Sequence, residues 1–233
     1  MSTIWFTADT HYDHANIIRF SKRPQLQEGD EVEQTYFDRE TGKEGTRMYW
    51  ASPEIAAARV KQMNEEMLEA HNALVRPGDT VYHLGDFCMN RDRKAVVTKR
   101  VEWWVKQLNG HYHWIFGNHD HSDARKAEGF ASKQHYKELR IGGKNREMFC
   151  LFHYAMRTWN SRHHGAIQLY GHSHGSLPNN EFDLAWDVGV DPNEMLPVHI
   201  DAIRNLAHVT KALAEVKGVN WKGEDHHSSK RVD

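Results

Sequence analysis

Short apolar runs rich in β-branched and aromatic residues recur along the chain, and five of them stop abruptly at a polar cluster. Runs of this length, bounded by Gly, Asp, Asn or His, are typical of buried β-strands. The five runs occupy residues 4–8, 80–84, 112–116, 148–152 and 167–170, and a sixth at 184–188 lacks a following cluster of this kind. The pattern predicts strands that present polar side chains where they end.

Amphipathic helical patterns lie between some of these runs. Ser52 and Pro53 provide an N-cap and a first-turn proline, and apolar residues then step by four and three over 56–74. The same spacing recurs over 97–108 and 206–216, and we expect the Met and Trp residues of these stripes in the core. Strands that alternate with helices predict a layered α/β domain, in which sites form at the carboxyl ends of strands.

The length of 233 residues and the 39% hydrophobic content suit one full-sized domain. We place this domain at residues 1–218, and we expect the polar segment 219–233 to be disordered. The segment 23–51 mixes many charges with aromatic residues, so we interpret it as an excursion or hairpin outside the core. A solvated surface loop and a lid over the site are the two roles open to it.

Charge and cysteine usage exclude several classes of protein. Thirty Lys and Arg against 32 Asp and Glu give a net charge of −2, which provides no global basic field for double-stranded nucleic acid or an anionic membrane. The amino terminus does not resemble a signal peptide and no run is long enough to span a membrane, so we expect a cytoplasmic protein. Cys88 and Cys150 have no CxxC partner and are expected in the core.

Histidine is unusually frequent, with 18 residues, and several belong to the polar clusters that follow the apolar runs. In chain order the clusters are Asp9-x-His11, Gly85-Asp86, Gly117-Asn118-His119-Asp120, His153 and Gly171-His172-Ser173-His174. Each is a weak signal alone, but their order resembles the complete signature of the calcineurin-like metallophosphoesterase superfamily, in particular its compact bacterial and phage members. The resemblance runs from about residue 4 to about residue 191 and leaves out 23–51 and the tail.

The resemblance implies a layered metallophosphoesterase fold, a β-sheet sandwich flanked by α-helices, with two divalent metal ions at the carboxyl ends of the strands. In the family one carboxylate bridges the two ions, and that role falls on Asp86. The remaining ligands are Asp9, His11 and His174 for the first ion, and Asn118, His153 and His172 for the second. A nitrogen and oxygen ligand set suits manganese, iron or zinc and does not choose among them. Manganese is the ion we expect, with iron or zinc as alternatives, and the identity of the metal is open.

The residue types and their spacing support this assignment separately from the resemblance. Paired cations neutralise phosphoryl oxygens and ionise a bound water, and they need carboxylate and imidazole ligands. Asp9 and His11, like His172 and His174, are two residues apart, so each pair points the same way if its segment stays extended. The glycine that begins each of three clusters allows tight turns and close backbone approach.

The resemblance also implies the chemistry. A metal-bridging hydroxide attacks phosphorus in line, and His119 is the candidate general acid for the leaving group. Asp120 orients His119 or supports a metal ligand. We expect a small phosphodiester or phosphomonoester as substrate, such as a nucleotide or cyclic nucleotide. Further candidates for substrate binding lie close to the clusters along the chain, namely His14, Asn16, Arg157, His163 and His164.

Other functions are weighed against this one. Protein serine/threonine phosphatases continue the second cluster as Gly-Asp-x-x-Asp-Arg-Gly, whereas Phe87-Cys88-Met89-Asn90 follows here, which disfavours that branch. A noncatalytic scaffold that has lost its metals is disfavoured because every matched ligand position is filled. A nuclease for single-stranded nucleic acid stays as an alternative. A structural zinc site is disfavoured, because such sites favour cysteine-rich ligand sets. The natural substrate and the oligomeric state are open.

Overall fold

Strands and helices follow one another along the chain in the computed structural model, which describes residues 2–89, 94–143, 146–178 and 181–221. Within these ranges the strands are β1 (Ile4–Thr7), β2 (Glu31–Asp38), β3 (Lys43–Trp50), β4 (Thr80–His83), β5 (His111–Ile115), β6 (Ser132–Gln134), β7 (Tyr136–Ile141), β8 (Glu147–Phe152), β9 (Ile167–Tyr170), β10 (Ala185–Asp187) and β11 (Val198–His199). The helices are α1 (Ala15–Phe20), α2 (Pro53–Leu74), α3 (Lys94–Gln107) and α4 (Ile200–Lys217).

Two sheets organise the domain. The first has the order β11-β1-β4-β5-β6, in which β1, β4, β5 and β6 are parallel and β11 is antiparallel to β1. The second has the order β10-β9-β8-β7, in which β8, β9 and β10 are parallel and β7 is antiparallel to β8. Because parallel strands end at the same edge, the loops after β1, β4 and β5 lie together, as do those after β8 and β9.

The two sheets share one hydrophobic core. Phe6 and Ile115 of the first sheet pack in the same cluster as Phe149 and Leu169 of the second, and all four are fully buried. Burying large apolar side chains from both sheets fixes one sheet against the other. The loops at their edges are thereby held at a constant separation.

The opposite face of the first sheet packs against helices. Val81 and Trp114 point to this side and form a second cluster with Met63 of α2 and Trp104 of α3. The period-two alternation of strand residues therefore fills a core on each face of the sheet. These sheets and flanking helices confirm the predicted α/β fold class.

Most of the predicted elements are present with small differences in their bounds. Each of the six apolar runs forms a strand, and each of the three helical patterns lies in a helix. Met63, Met67 and Trp104 are buried as predicted. Cys88 and Cys150 are buried free thiols, in agreement with their predicted place in the core.

The apolar residues whose spacing predicts the last helix do not form its buried face. The stripe Leu206, Val209, Leu213 and Val216 is exposed, and the buried residues of α4 include Ile203, Ala207 and Ala214 instead. Small residues on the inner face let the helix backbone approach the core between the sheets closely. The spacing of the large apolar residues therefore predicts the helix but does not identify its buried face.

The segment 23–51 contains an antiparallel ribbon of β2 and β3. Its base is fixed to α1, because Trp50 Nε1 donates to Asn16 Oδ1 at 3.1 Å and Arg19 Nε donates to Glu31 Oε1 at 2.7 Å. Arg23 does not belong to this exposed excursion, since its side chain is completely buried. The reason is that carbonyl and carboxylate oxygens inside the domain satisfy its guanidinium.

The carboxyl-terminal prediction falls mostly beyond the described part of the chain. α4 ends at Lys217 and is capped by Gly218, which adopts a left-handed φ of 65°. Of the predicted disordered tail 219–233, residues 222–233 lie outside the described residues. Among the described residues, no helix combines the length and the apolar character that crossing a membrane requires.

His83 is a neutral histidine buried beside the strand ends. Gly85 N–H donates to His83 Nδ1 at 3.3 Å, and His83 Nε2 lies 2.9 Å from Thr10 Oγ1, which itself donates to the Phe87 carbonyl at 2.7 Å. One ring nitrogen therefore accepts and the other donates, which the neutral imidazole satisfies. Burial, with smaller effects of His153 and His71, lowers the pKa of His83 to about 3.

We predict that this histidine makes the fold acid-sensitive. The unfolded chain protonates His83 near its ordinary pKa of 6.5, whereas the folded chain keeps it neutral to about pH 3. Its contribution to stability is therefore present above pH 6.5 and is lost as the pH falls, by about 2 kcal/mol at pH 5. Urea unfolding at pH 7.5 and pH 5 in EDTA measures this loss.

His83→Gln is expected to reduce the loss, because an amide can donate and accept without titrating. His111→Gln, which changes an exposed histidine, is the matched control. An equal loss of stability in His83→Gln and the unmodified protein would contradict the assignment.

Candidate metal centre

The polar clusters converge because the strand-end loops are hydrogen-bonded to one another. Asp9 N–H donates to the Gly85 carbonyl at 2.9 Å, which joins the loops after β1 and β4. Val190 N–H donates to the Ala8 carbonyl at 3.0 Å, which joins the end of β1 to the chain after β10. The loops of both sheets therefore form one continuous edge.

Two groups of ligand-type side chains lie at this edge. Each consists of three residues whose ligand atoms all lie within 4.8 Å of one another, and the groups are Asp9, His11 and His174, and Asp86, His153 and His172. The first group contains the residues that the sequence assigns to the first ion. The second group contains two residues assigned to the second ion, together with Asp86, the carboxylate predicted to bridge the two ions. Only His172 among the six is exposed.

Asp86 lies between the two groups. Its Oδ2 is 3.6 Å from His11 Nε2 of the first group and 3.5 Å from His153 Nε2 of its own group. Asn118, the remaining predicted ligand, is also in place, since its Oδ1 lies 2.9 Å from both His153 Nε2 and His172 Nδ1. A carboxylate in this position can contact a cation held by either group.

The backbone of the ligand loops is left-handed rather than extended. Five of the seven predicted ligands have positive φ values, namely Asp9 (55°), His11 (47°), Asp86 (56°), His172 (68°) and His174 (48°). The expectation that paired ligands point the same way because their segments are extended is therefore wrong. Convergence comes instead from sharp turns in a region that costs L-residues energy and that clusters at functional sites.

Two glycines allow the ligand loops to approach closely. A Cβ at Gly117 would lie 2.2 Å from Asp86 Oδ1, and a Cβ at Gly171 would lie 2.5 Å from Asp9 Oδ2. Both distances are far below van der Waals contact, so any larger residue would displace a ligand carboxylate. These glycines are required by space rather than by flexibility.

Burial and neighbouring negative charges disfavour the ionised form of the carboxylates in the centre. Burial, followed by repulsion from Asp86 and Asp187, raises the pKa of Asp9 well above its ordinary value. Burial and the charge of Asp120 raise the pKa of Asp86 to about 7. Like charges in a desolvated site favour protonation unless a cation compensates them.

The imidazoles are shifted in the opposite direction. Burial lowers the pKa of His11 well below its ordinary value, and neighbouring Arg23 adds to the effect. Burial lowers the pKa of His153 to about 4 and also lowers the pKa of His172. These histidines are neutral at pH 7, which is the form that ligates metals.

The residues present fit divalent cations. Within the described chain, Asp9 Oδ1 and His11 Nε2 are buried polar atoms that have no hydrogen-bond partner. Buried polar groups are normally satisfied, so atoms of this kind that face a shared space indicate an absent partner. The donors are carboxylate, amide and imidazole, which suit manganese, iron or zinc and lack any soft ligand.

Asp120 acts through the ligand loops. It is completely buried, and its Oδ2 accepts N–H bonds from Asp86 and Gly117, each at 2.8 Å. Its Oδ1 accepts from Phe87 N–H at 3.0 Å. The carboxylate thus fixes the loops that carry Asp86 and Asn118. Of the two roles predicted for Asp120, these contacts match support of a metal ligand.

His119 faces the first group. It is half-buried, and its ring centroid is 5.4 Å from that of His11. Its backbone N–H donates to Asp86 Oδ1 at 2.8 Å, which couples the position of His119 to that of this carboxylate. Burial and the neighbouring histidines lower the pKa of His119.

The residues predicted to bind substrate lie in three different segments of the fold. The ring of His14 lies 5.4 Å from the ring of His11, and Asn16 lies two residues further along in α1. Arg157 is exposed in the loop after His153. His163 and His164 are not brought to the ligands, because they form a 3-10 turn before β9 whereas His172 follows the other end of that strand.

Sequence reasoning missed a buried arginine and two carboxylates. Arg23 donates to both oxygens of Asp191 at 2.9 and 3.0 Å and to the Asp9 carbonyl at 2.7 Å. Asp191 Oδ2 lies 2.7 Å from His174 Nδ1, so the other ring nitrogen of His174 is left for a metal ion. These hydrogen bonds outweigh the burial of Asp191 and lower its pKa.

The other missed carboxylate anchors a ligand loop. Asp187 Oδ2 accepts from Ser173 Oγ at 2.6 Å and from Gly175 N–H at 3.0 Å, on either side of His174. Asp187 and Asp191 lie at and just beyond the end of the sixth apolar run, which shows no ligand cluster. Their position at the end of a predicted strand is the signal that could have identified both as residues that orient metal ligands.

The comparisons with known proteins agree with this geometry. A sequence profile of the calcineurin-like phosphoesterase family matches residues 2–187. The chain belongs to this family of metallophosphoesterases. It is similar to the uncharacterized protein MJ1445 of Methanocaldococcus jannaschii, at 24% identity over 221 residues that cover 93% of this chain and 97% of the relative.

A solved structure shares the fold. The crystal structure of the protein of unknown function AQ665 from Aquifex aeolicus aligns with a TM-score of 0.55 and 18% identity, covering 88% of this chain and 100% of that chain. At this identity the likeness concerns the fold alone. The descriptions of these two relatives name no substrate and no reaction.

We predict that Asp191→Asn weakens metal binding without unfolding the protein. The amide keeps the shape of the side chain but loses the charge that orients His174, and changes of this kind cost about 10- to 100-fold in metal affinity. Calorimetric titration of the metal-stripped protein with Mn²⁺ measures the affinity.

Asp183→Asn is the matched control, since Asp183 pairs with Arg162 rather than with a ligand residue. Both variants should melt as cooperatively as the unmodified protein. Unchanged Mn²⁺ affinity in Asp191→Asn would show that this carboxylate does not position His174.

Proposed function

We propose that the protein is a dinuclear, metal-dependent phosphohydrolase for a small phosphodiester or phosphomonoester, with manganese as its preferred metal. The observation that carries the proposal is the position of Asp86, within 3.6 Å of imidazole nitrogens from both groups. Two neighbouring three-residue groups linked by one carboxylate suit a pair of cations better than a single structural ion. The family membership supports phosphoester chemistry.

Two divalent ions bound there would supply charge neutralisation of the phosphoryl oxygens and activation of a water. The residues of the chain determine where the phosphoryl group can enter. Asn118 and His172 are exposed and His119 is half-buried, whereas Asp9, Asp86 and His153 are buried. A phosphoester therefore approaches from the side of Asn118, His119 and His172.

His119 is the group that protonates the leaving oxygen in this proposal. Its lowered pKa keeps it neutral at pH 7 in the free protein. A bound phosphate places negative charge beside the ring and raises its pKa, so the imidazole gains its proton with the substrate. His119 is therefore charged when a departing alkoxide needs a proton.

The ribbon of β2 and β3 is a candidate lid. It is attached to α1 through Asn16 and Arg19, a few residues after the ligand His11. The ribbon presents aromatic side chains that include Tyr36 and Phe37, which are 37% and 62% exposed. An attachment this near the centre allows the ribbon to cover a substrate.

The decisive test is Asp86→Ala. We predict complete loss of Mn²⁺-dependent hydrolysis of bis(p-nitrophenyl) phosphate and p-nitrophenyl phosphate, because both groups lose their shared carboxylate. Release of p-nitrophenolate measures the rate, and calorimetry in the same buffer counts the Mn²⁺ ions bound. Two ions for the unmodified protein and a reduced number for the variant are expected.

Asp201→Ala serves as the control, since Asp201 is exposed and pairs with Arg204. Hydrolysis by Asp86→Ala at the unmodified rate would refute the centre. An unmodified protein that binds two ions but hydrolyses none of a panel of nucleotides, cyclic nucleotides, phosphosugars and single-stranded oligonucleotides would favour a noncatalytic scaffold.

We predict that His119→Gln discriminates between leaving groups. Hydrolysis of alkyl and nucleoside esters should fall about 100-fold or more, because their alkoxides need a proton in the transition state. Hydrolysis of p-nitrophenyl esters should fall by less, because p-nitrophenolate is a stable leaving group. Equal losses for both kinds of ester would assign His119 to binding rather than to proton donation.

A further inference from the structure

A second cleft lies at the opposite end of the strands that carry the metal centre. It has a volume of about 480 Å³ and is enclosed by α4, by the adjoining ends of β7 and β8, and by the 3-10 turn 162–164 with the start of β9. Its lining includes Glu147 and Ile167, the first residues of β8 and β9. His153, by contrast, follows the last residue of β8.

The cleft is therefore distinct from the centre already described. His153 follows Glu147 by six positions along the chain of β8, which at about 3.3 Å per residue amounts to roughly 20 Å. The ligands of the metal centre and the lining of the cleft share no residue. A small molecule bound in one would not touch the other.

Positive charge is concentrated in this cleft. Arg140, Arg146, Arg204 and Lys211 line it, and Glu147 is the one carboxylate among the described lining residues. The chain as a whole carries a net charge of −2, so the local excess of cations is not a property of the whole surface. Clefts lined by one sign of charge concentrate counter-ions of the other sign.

The helix side of the cleft is ordered for binding. Arg204, His208 and Lys211 are four and three residues apart on α4, which places them on one face. Arg204 is fixed by Glu147 at 2.6 Å and Asp201 at 2.9 Å. The Nζ of Lys211 lies 5.1 Å from the centroid of the Trp221 ring, which holds the ammonium group beside Gly165.

The strand side supplies cations that have no carboxylate partner. Glu147 is engaged by Arg204, and in the described part of the chain neither Arg140 nor Arg146 makes an ion pair. Two guanidinium groups without an ion pair among the described residues line the same concave space as an ammonium and an anchored arginine, and guanidinium and ammonium groups bind phosphate oxygens. The volume suits a small molecule rather than a nucleic acid duplex.

We propose that this cleft is a second site, which binds a small anion with two or more phosphate groups. The anion is bound by Arg140 and Arg146 from the strand side and by Arg204 and Lys211 from the helix side. Inorganic polyphosphates and nucleoside polyphosphates share this chemistry. The two sources are distinguished by whether a base and ribose add affinity.

Calorimetry of the full chain in EDTA with tripolyphosphate, ATP and inorganic phosphate tests the proposal. EDTA removes divalent ions, so the metal centre cannot hold the probes through them. We expect saturable binding of tripolyphosphate or ATP at one site, with inorganic phosphate much weaker. Equal affinity for the first two assigns the site to the polyphosphate group, and tighter binding of ATP assigns it to a nucleotide.

The double variant Arg146→Glu/Lys211→Glu should raise the Kd by more than about tenfold, because it reverses charge on both sides of the cleft. Arg146→Gln/Lys211→Gln, which neutralises the same groups, keeps the test valid if charge reversal disturbs folding. Lys106→Glu, on the exposed side of α3, is the matched control and should bind normally.

Absence of binding to the unmodified protein, or equal binding by the neutralised variant, would overturn the proposal. Mn²⁺-dependent hydrolysis of p-nitrophenyl esters by the double variant should be unchanged, since neither residue touches the metal centre. Loss of polyphosphate binding with retained hydrolysis would therefore establish two separate sites.

Discussion

A buried carboxylate shared by two clusters of imidazoles is the constraint on which the rest of the site depends. Asp86 contacts His11 and His153 from loops of different sheets. Burial raises the pKa of Asp86 and lowers the pKa of both histidines. A divalent cation would compensate the charge of the ionised carboxylates and would be ligated by neutral imidazoles, so the burial of these groups and metal binding are coupled.

The architecture around Asp86 is what makes that arrangement possible. Left-handed backbone at five ligand positions and atoms crowded against Gly117 and Gly171 are locally unfavourable. They persist because Asp120 and Asp187 each fix a ligand loop through several N–H or O–H donors. The packed core between the sheets supplies the rigid frame, and the carboxylates outside the ligand set convert that frame into fixed ligand positions.

The sequence predicted the parts of this molecule that depend on local pattern. Strand ends followed by ligand-type residues were visible because strands have a fixed period and stop at turns. The burial of Arg23 was not visible, since its carboxylate and carbonyl partners come from distant parts of the chain, including Asp191. The buried face of α4 was not visible in the spacing of its large apolar residues, since Ala207 and Ala214 carry little hydrophobic signal. Close approach is a tertiary property that spacing alone does not encode.

The two ends of β8 and β9 carry side chains of opposite charge. At the carboxyl ends, buried acids and neutral imidazoles form groups that could hold cations. At the amino ends, arginines and a lysine line an accessible cleft. The separation of roughly 20 Å exceeds the screening length of about 8 Å at physiological salt, so salt weakens the interaction between exposed charges of the cleft and a phosphoester at the centre. The strands between are buried in a closely packed core, and no described residue belongs to both the ligand groups and the lining of the cleft. We therefore interpret the cleft as an anion site separate from the metal centre.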